Sequence, residues 1–307
     1  MIIALDSKTK NLVPWVKALR EALPSDTVMV SDEVQHPNEV DIAILWNHSH
    51  DFFKRFINVK LVCSLGAGVD HILSDPLLPS QMPIVRVVSE ELSGPMSIYC
   101  IGAITYFERK FDEYRIHQEK RIWNQEADPE RHLRVGLMGL GQLGSDLARK
   151  LVMLGFNVCG WSKSRKEIEG VKSFVEDQLE DFLSITDVLV CMLPATKQTM
   201  SILNKSLFMK MKPGSYLINV GRGQHQVNGD ILQALESGRL KGAFLDVFPV
   251  EPLPSSDPLW SHPKVVVTPH IAVVTKLGAA VPMIAENVER LSRGEALLNL
   301  IDRSSGY

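Results

Sequence analysis

The sequence predicts an α/β protein in which helices cover parallel β-sheets, and three observations lead to this prediction. Apolar runs typical of strands alternate with helical patterns along most of the chain, as expected for parallel sheets. At residues 135–144 an apolar run leads directly into the pattern Gly-x-Gly-x-x-Gly, and leucines then recur at helical spacing. Beyond Arg134, six strand candidates alternate with helices, which fits the two halves of a doubly wound sheet.

The composition favours two domains of ordinary size. The chain has 307 residues, of which 45% are hydrophobic and 22% charged, and its formal net charge of -3 gives no reason to expect a nucleic-acid-binding surface. The N-terminal apolar stretch is too short for a signal peptide, and no run approaches the roughly 18 apolar residues of a membrane span. We therefore expect a cytoplasmic protein that binds neither nucleic acid nor membrane. The four cysteines lack C-x-x-C spacing, so we expect buried thiols and no metal site.

The first 95 residues are expected to form one α/β domain. Its strand candidates are IIAL, TVMV, VDIAILW, VKLVCSLG and IVRVV, and the helical pattern LVPWVKALREAL follows the first of them. Gly94-Pro95 is a candidate hinge, because both residue types interrupt regular structure. The stretch from Met96 to about Trp123 has helical periodicity and is expected to be a crossover helix.

From Arg134 the alternation of strands and helices resumes. The strand candidates are RVGLM, NVCGW, DVLVCML, SYLINV, GAFLDVF and KVVVTPH, and helices are expected at residues 143–154, 177–184, 205–211 and 229–237. A last helical pattern covers residues 276–293 and is ended by Gly294. This region is the predicted nucleotide-binding part of the chain, because of the glycine pattern at its start.

Gly139, Gly141 and Gly144 lie between a predicted strand and a predicted helix, as in a dinucleotide-binding turn. In such a turn the first glycine permits the bend, the second lets the backbone approach a pyrophosphate, and the third lets the helix pack on the strand. The start of the helix, with Gln142 and Leu143, is then expected to face the phosphates. The alternative is an ordinary glycine-rich turn.

The strand after this helix ends in Ser162, Lys163, Ser164, Arg165 and Lys166. Enzymes that prefer NAD place an Asp or Glu about 20 residues beyond the glycine pattern, where it bonds the ribose 2′-hydroxyl. A hydroxyl among lysine and arginine side chains suits a 2′-phosphate instead. We therefore expect this loop to bind NADP(H) in preference to NAD(H), although a solvated turn would also carry such charges.

Further polar and glycine-containing turns follow other predicted strands, at the edge where an open α/β sheet binds ligands. These turns contain Leu193, Pro194, Val220, Gly221, Arg222, Asp246 and His270. Arg222 lies between two glycines and could present a bidentate donor to a carboxylate; otherwise it is a surface arginine. His270 could protonate a carbonyl oxygen with Glu251 behind it as the orienting carboxylate. From spacing alone, a packed or capping histidine fits equally well.

The stretch SLGAGVD, residues 64–70, follows a strand of the first domain. Consecutive amides in such a turn, including those of Ala67 and Gly68, can hold an anion such as a carboxylate. A tight turn that leads into a helix explains the same residues about equally well. Asp70 is expected to be a helix-start or turn residue rather than a catalytic one.

Taken together, LGAGVDHIL, GLGQLG, WSKSRK, LPATKQT, INVGRG, LKGAFLDVFPVEPLP and TPHIA resemble the D-isomer-specific 2-hydroxyacid dehydrogenase family. The run from WSKSRK to PHIAVVT resembles its glyoxylate/hydroxypyruvate reductase A branch. The resemblance implies two Rossmann-like or flavodoxin-like domains with parallel sheets. The nucleotide-binding domain, residues 96–274, would be inserted into a discontinuous substrate domain of residues 1–95 plus 275–307.

The resemblance also implies roles for single residues. Arg222, Glu251 and His270 match the catalytic arginine, acid and histidine of the family. The remaining matches are Ala67, Gly68 and Trp46 at the substrate, Pro194 beside the nicotinamide, and Asp246 near its carboxamide. Leu193, Val220 and Gly221 are expected to bind the cofactor as well. A homodimer formed through the helix near residues 96–120 is implied as well.

The function implied is NADPH-dependent hydride transfer to small 2-oxo acids, which converts glyoxylate to glycolate and hydroxypyruvate to D-glycerate. One alternative is a reductase of bulkier substrates of the phenylpyruvate type, because one sequence does not show the size of a pocket. Another is a non-catalytic dinucleotide-sensing protein that recruits a partner. The chain begins at its first predicted strand and ends soon after its last predicted helix, so we expect no partner-docking tail.

Overall fold

A computed structural model of the protein describes residues 1–125 and 130–303. The chain forms two compact units, one made of residues 1–92 and the segment from Val274 onward, the other of Ser93–Val273. Each unit contains one sheet whose strands are all parallel, so the predicted α/β class is confirmed. Residues 126–129 of the predicted nucleotide-binding domain and 304–307 of the predicted substrate domain lie outside the described residues.

The first unit is built on a five-stranded sheet with the order β2-β1-β3-β4-β5. The strands are β1 (Ile2–Ser7), β2 (Thr27–Val30), β3 (Ile42–Trp46), β4 (Leu61–Ser64) and β5 (Ile84–Val85). Its helices are Val13–Ala22, Phe52–Arg55, Asp70–Leu73 and Leu277–Arg293, with short 3-10 helices at Ser31–Glu33 and Pro37–Glu39.

The last segment of the chain completes the first unit. The helix Leu277–Arg293 packs against the helix Val13–Ala22 and ends, as predicted, at Gly294, whose φ of 69° is left-handed. Beyond it, the carbonyl of Asn299 accepts the amide of Arg86, and the amide of Ile301 donates to Ile84. These bonds attach the chain after Gly294 to the edge strand β5.

The second unit has a seven-stranded sheet with the order β12-β11-β10-β9-β6-β7-β8. The strands are β6 (Arg134–Met138), β7 (Asn157–Trp161), β8 (Val171–Phe174), β9 (Val188–Cys191), β10 (Ser215–Asn219), β11 (Leu240–Leu245) and β12 (Val265–Val267). The helices within Ser93–Val273 are Phe111–Glu119, Gln142–Met153, Leu179–Ile185, Lys205–Lys210 and Asn228–Glu236, with 3-10 helices at Glu176–Gln178, Gly223–His225 and Pro258–Trp260.

Two differences from the predicted elements have local causes. Strand β8 was not predicted, because only Phe174 of its four residues is buried and the segment therefore lacks a strand-like apolar pattern. The expected helix start after Gly94-Pro95 is wrong, since a helix runs through both residues from Glu90 to Glu108. Pro95 lies in the second turn, where its missing N–H removes a single hydrogen bond. At Lys110 the left-handed backbone, with φ of 59°, separates this helix from the next.

The seven-stranded sheet is buried on both faces, as parallel sheets are. No residue of β9 or β10 is exposed, and separate apolar layers cover the two faces, one around Phe182 and the other around Ile104. Burial of each such side chain contributes about 1.5–3 kcal/mol. The rigid sheet brings the turns at the carboxyl ends of its strands to one edge, where ligands bind in this class of fold.

Two expectations about composition concern the whole chain. All four cysteines are buried and free, as predicted. Within residues 1–125 and 130–303, no helix combines the length and the apolar content that crossing a lipid bilayer requires.

Candidate active site

The glycine pattern forms a tight turn between β6 and the helix Gln142–Met153. Gly139 has a φ of +106°, and a Cβ there would lie 3.0 Å from the carbonyl oxygen of Met192, so only glycine fits. A Cβ on Gly144 would lie 1.9 Å from the carbonyl oxygen of Gly139, so the third glycine lets the helix approach the turn. No atom would come within 4 Å of a Cβ on Gly141. The turn therefore leaves open space beside the helix N-terminus, where a pyrophosphate fits.

The loop after β7 contains the predicted cofactor residues Ser162, Lys163, Ser164 and Arg165. Ser162 is buried, and its hydroxyl donates a hydrogen bond of 2.8 Å to the carbonyl of Ser164. Lys163 and Arg165 are exposed, and neither forms an ion pair within the described residues. The guanidinium of Arg165 donates instead to the carbonyl of Ser173 at 3.2 Å. The loop thus presents two cations to solvent, while the Ser162 hydroxyl stabilises the fold of the loop.

Arg222 follows β10 and is anchored by a histidine for which the sequence indicated no role. The ring of His225 is buried; its Nδ1 accepts the amide N–H of Arg222 at 3.1 Å, and its Nε2 faces the carbonyl of Pro194 at 3.2 Å. Because Nδ1 accepts, Nε2 carries the hydrogen and donates to that carbonyl. The imidazole therefore ties the turn after β10 to the turn with Leu193 and Pro194 after β9.

The glycines on either side of Arg222 allow close backbone packing. A Cβ on Gly221 would lie 2.9 Å from Nδ1 of His225, and one on Gly223 would lie 1.9 Å from the backbone of Phe248. Neither position therefore accepts a side chain. The guanidinium of Arg222 donates to the carbonyl of Gly221 at 2.8 Å, so both the backbone and the side chain of this residue are held in place.

The structure brings His270 and Glu251 together. Nδ1 of His270 lies 2.7 Å from Oε2 of Glu251, and Oε1 of the same carboxylate accepts the amide of Phe248 at 2.9 Å. A carboxylate only accepts, so Nδ1 carries the hydrogen, and a protonated ring then offers the Nε2–H as a second donor. About 37% of the His270 side chain is exposed, which leaves this pair accessible to a substrate.

Glu251 is held in its charged form by its neighbours. Burial alone would raise the pKa of this carboxyl, but hydrogen bonds from His270 and Phe248, and the charges of His270 and Arg222, lower it below its ordinary value. A lowered folded-state pKa contributes stability that is present above the unfolded value of about 4.3. This contribution is lost as pH falls through the folded-state pKa.

Asp246 holds the turn that carries His270. Its buried carboxylate accepts three short hydrogen bonds, from Thr268 Oγ1 at 2.6 Å and from the amides of Ile271 and Ala272 at 2.9 Å each. Its backbone carbonyl accepts the amide of His270 at 2.8 Å. Hydrogen bonds to a charged group contribute roughly 1.5–3 kcal/mol each. The carboxylate therefore has a structural role here, in addition to the cofactor contact that the family resemblance implies.

Tyr99 extends this network from a distant part of the sequence. Its hydroxyl hydrogen-bonds Thr268 Oγ1 and lies 3.3 Å from Oδ1 of Asp246. Since Thr268 donates to Asp246, its oxygen accepts the hydrogen of Tyr99. Burial raises the pKa of Tyr99 far above its ordinary value, so the hydroxyl keeps this hydrogen. The backbone of His270 is left-handed, with φ of 53°, a conformation that needs such support in a residue other than glycine.

In the first unit, the loop after β4 has the open amides expected of an anion site. Ser64 Oγ donates to the carbonyl of Gly68 at 2.8 Å and accepts the amide of Gly66 at 3.2 Å. Within the described ranges, no acceptor pairs with the amides of residues 67–69. Asp70 begins the short helix Asp70–Leu73, as predicted. Trp46, at the end of β3, lies so close that a Cβ on Gly66 would be 2.4 Å from its ring.

A cluster of Glu108, Glu130 and His132 has side-chain ligand atoms within 4.8 Å of one another. The sequence gave no reason to expect a metal there. Both oxygens of Glu108 already accept backbone amides, from His132 at 2.8 Å and Leu133 at 2.9 Å. This carboxylate therefore fixes the segment that leads into β6.

Hydride transfer to a carbonyl needs a dinucleotide site and a proton donor on the same support, and one edge of the seven-stranded sheet provides both. The second unit thus has the features of a nicotinamide-dependent dehydrogenase. A family model described as "D-isomer specific 2-hydroxyacid dehydrogenase, NAD binding domain" matches residues 101–272. The chain belongs to the D-isomer-specific 2-hydroxyacid dehydrogenase family, and the predicted resemblance is confirmed.

Relatives and solved structures agree with this assignment and with the predicted branch. Glyoxylate/hydroxypyruvate reductase A of Serratia proteamaculans is 38% identical over 305 residues, which covers 97% of each chain. A D-isomer specific 2-hydroxyacid dehydrogenase from Xanthobacter autotrophicus, solved with NADPH and MES, matches with a TM-score of 0.93 and 35% identity, covering 100% of this chain and 99% of that one. An NADPH-dependent glyoxylate/hydroxypyruvate reductase from Sinorhizobium meliloti, solved with NADP and sulfate, gives 0.92 and 37% with the same coverage.

Proposed function

We propose that the protein is an NADPH-dependent reductase of small 2-oxo acids that converts glyoxylate to glycolate and hydroxypyruvate to D-glycerate. The contact between His270 Nδ1 and Glu251 Oε2, at 2.7 Å, carries this proposal, because it provides an oriented proton donor. Relatives about 38% identical over nearly the whole chain are reductases of these two acids.

Two kinds of donor for a substrate carboxylate are proposed, each considered within its own unit. One is the guanidinium of Arg222, whose planar fork matches a carboxylate. The other is the pair of amides of Ala67 and Gly68, which have no described acceptor within the chain. We also assign Trp46 to the substrate site, because its ring lies against Gly66 in the same loop.

When bound, NADPH supplies the hydride that reaches the carbonyl carbon. The oxygen of that carbonyl gains negative charge and takes the proton from Nε2 of His270, so the product is the 2-hydroxy acid. Glu251 keeps the ring oriented through Nδ1 and stabilises its charged form. Reduction therefore requires the protonated form of His270.

We assign the cofactor to the edge of the seven-stranded sheet. The pyrophosphate would lie on the turn of Gly139, Gly141 and Gly144 and on the helix start with Gln142 and Leu143. The nicotinamide would lie near the turns that contain Leu193, Pro194, Val220, Gly221 and Asp246. The exposed cations Lys163 and Arg165 favour a 2′-phosphate, so NADP(H) is the preferred cofactor and NAD(H) the weaker one. Ser162 and Ser164 would border that phosphate.

A homodimer formed through residues 96–120 is proposed as well. Several apolar side chains in and next to this stretch are exposed, among them Ile98 at 73%, Phe111 at 50% and Trp123 at 94%, and a partner would cover them. Sedimentation should give twice the chain mass of 34.3 kDa; the single mass would contradict the dimer.

A cytoplasmic location is also proposed. Four free thiols support it, because disulfides are rare in the cytosol, and fractionation of cells that express the protein would test it.

The decisive experiment measures initial rates of NADPH and NADH oxidation with glyoxylate, hydroxypyruvate and phenylpyruvate. We expect fast NADPH oxidation with the two small acids, and a loss of about 10²–10⁴-fold in His270→Ala. His36→Ala, which removes an exposed histidine of the first unit, serves as the control. A preference for phenylpyruvate would indicate a bulky-substrate reductase. Tight NADPH binding without turnover of any acid would indicate a dinucleotide sensor.

A further inference from the structure

Lys10 is a partly buried cation at the ligand-binding edge of the five-stranded sheet. Its ammonium lies 4.8 Å from the centre of the Trp46 ring. Within the part of the chain that the structure describes, no carboxylate forms an ion pair with it. Burial lowers the pKa of Lys10, and no nearby charge offsets that effect. A partly desolvated cation that has an aromatic contact but no described ion pair is a candidate for contact with an anionic ligand.

The backbone that carries Lys10 is fixed by hydrogen bonds. Ser7 Oγ, at the end of β1, accepts the amides of Thr9 at 3.2 Å and of Lys10 at 3.0 Å. The amide of Lys8 donates to the carbonyl of Asn47 at 3.1 Å, directly after β3. The loop is therefore tied to both strands, and Lys10 is held over Trp46 by more than its own side-chain contact.

Trp46 connects Lys10 to the anion-binding amides. The ring contacts Lys10, and it also lies against Gly66, at the start of the loop whose amides at residues 67–69 are open. These loops follow β1, β3 and β4, which are neighbours in the sheet. Two groups complementary to negative charge thus border one aromatic ring. A ligand with a single carboxylate needs only one of them.

We propose that Lys10 extends the substrates of this unit beyond glyoxylate and hydroxypyruvate to 2-oxo acids that carry a second anionic group, either a dicarboxylate or a phosphate ester. The inference rests on the proposed function, in which the amides of Ala67 and Gly68 take the carboxylate next to the carbonyl. The second anionic group then binds the ammonium of Lys10 through a charge-assisted hydrogen bond. The indole of Trp46 covers the apolar part of the molecule between the two charges.

The test compares substrates that differ only in the second charge. Oxaloacetate and 2-oxobutyrate have similar length, and 3-phosphohydroxypyruvate and hydroxypyruvate form a phosphate pair. We expect the kcat/KM ratio of oxaloacetate to 2-oxobutyrate to fall about tenfold in Lys10→Met, which keeps the aliphatic stem. Lys8→Met removes an exposed charge from the same loop, and its ratio should stay within about twofold. The phosphate pair shows whether the second group is a carboxylate or a phosphate.

Binding measurements separate this inference from the proposed function. Calorimetry with the protein loaded with NADP⁺ should give tighter binding of D-malate than of D-2-hydroxybutyrate, and Lys10→Met should remove the difference. If no acid is turned over but this difference is found, the proposed function fails and the role of Lys10 stands. If small acids are reduced but neither ratio depends on Lys10, or all substrates lose equally, the role of Lys10 is wrong.

Discussion

The turn that carries His270 and the loop that carries Ser162 both follow strands of the seven-stranded sheet, yet they use hydrogen bonds in opposite ways. In the first, the carboxylate of Asp246 accepts three short hydrogen bonds from the turn, and Glu251 binds the ring of His270, the proposed proton donor. In the second, Lys163 and Arg165 project into solvent without ion pairs among the described residues. A group that reacts must be oriented before the substrate arrives, whereas a group that binds must remain open.

The largest expected effect comes from removing the charge behind His270. Glu251→Gln keeps the shape of the side chain but no longer stabilises the charged imidazole, so we expect kcat for hydroxypyruvate to fall about 10²-fold or more. Steady-state rates, measured beside the control Glu236→Gln at an exposed helix end, would show this. A change of less than about threefold would mean that the orientation of His270 depends on its backbone alone.

An intermediate effect is expected in the loop that carries Ser162. Ser162→Asp places a carboxylate where the 2′-phosphate is proposed to bind, so the preference for NADPH over NADH in kcat/KM should fall by about tenfold or more. The control variant Ser206→Asp adds the same charge in the first turn of the helix Lys205–Lys210, where a negative charge is tolerated. If both variants keep the parental preference, the 2′-phosphate binds elsewhere.

The smallest effect should come from Tyr99, the outermost residue of the hydrogen-bond network around Asp246. Tyr99→Phe removes one hydroxyl while the ring keeps its contact with Phe244, 5.8 Å between centroids. We expect kcat to fall severalfold with little change in KM, because Asp246 still holds the turn with His270. Tyr106→Phe is the matched control, since that hydroxyl, on the same helix, has no hydrogen bond among the described residues. A larger change in KM than in kcat would contradict a role in positioning His270.

The parts of the fold and site that the sequence predicted are those encoded in short stretches. The turn at Gly139 follows from spacing within six residues, and the strand ends that carry Arg222 and His270 follow from apolar runs. The pairing of His270 with Glu251 was one of two alternatives from spacing, and the structure shows their contact at 2.7 Å. Their catalytic roles remain proposals.

The parts that the sequence did not reveal depend on contacts between distant residues. Tyr99 meets Thr268 across 169 positions, and no local pattern distinguishes it from Tyr106 on the same helix. The stretch that contains His225 has the composition of an ordinary turn, although the His225 ring connects the turns that follow two strands. The ammonium of Lys10 lies over the ring of Trp46, which is distant in the sequence, at the end of strand β3. The sequence of β8 lacks the apolar pattern of a strand, because this edge of the sheet is half exposed.

The attachment of the last segment to the first unit has a consequence for biosynthesis. A ribosome releases residues 1–92 first, but the helix Leu277–Arg293, which packs against Val13–Ala22, emerges only near the end of translation. The face of Val13–Ala22 that packs against this last helix therefore stays uncovered while Ser93–Val273 is made and folds. During that interval the nascent chain is most exposed to chaperones and to aggregation. The first unit is completed only when the last segment has been synthesised.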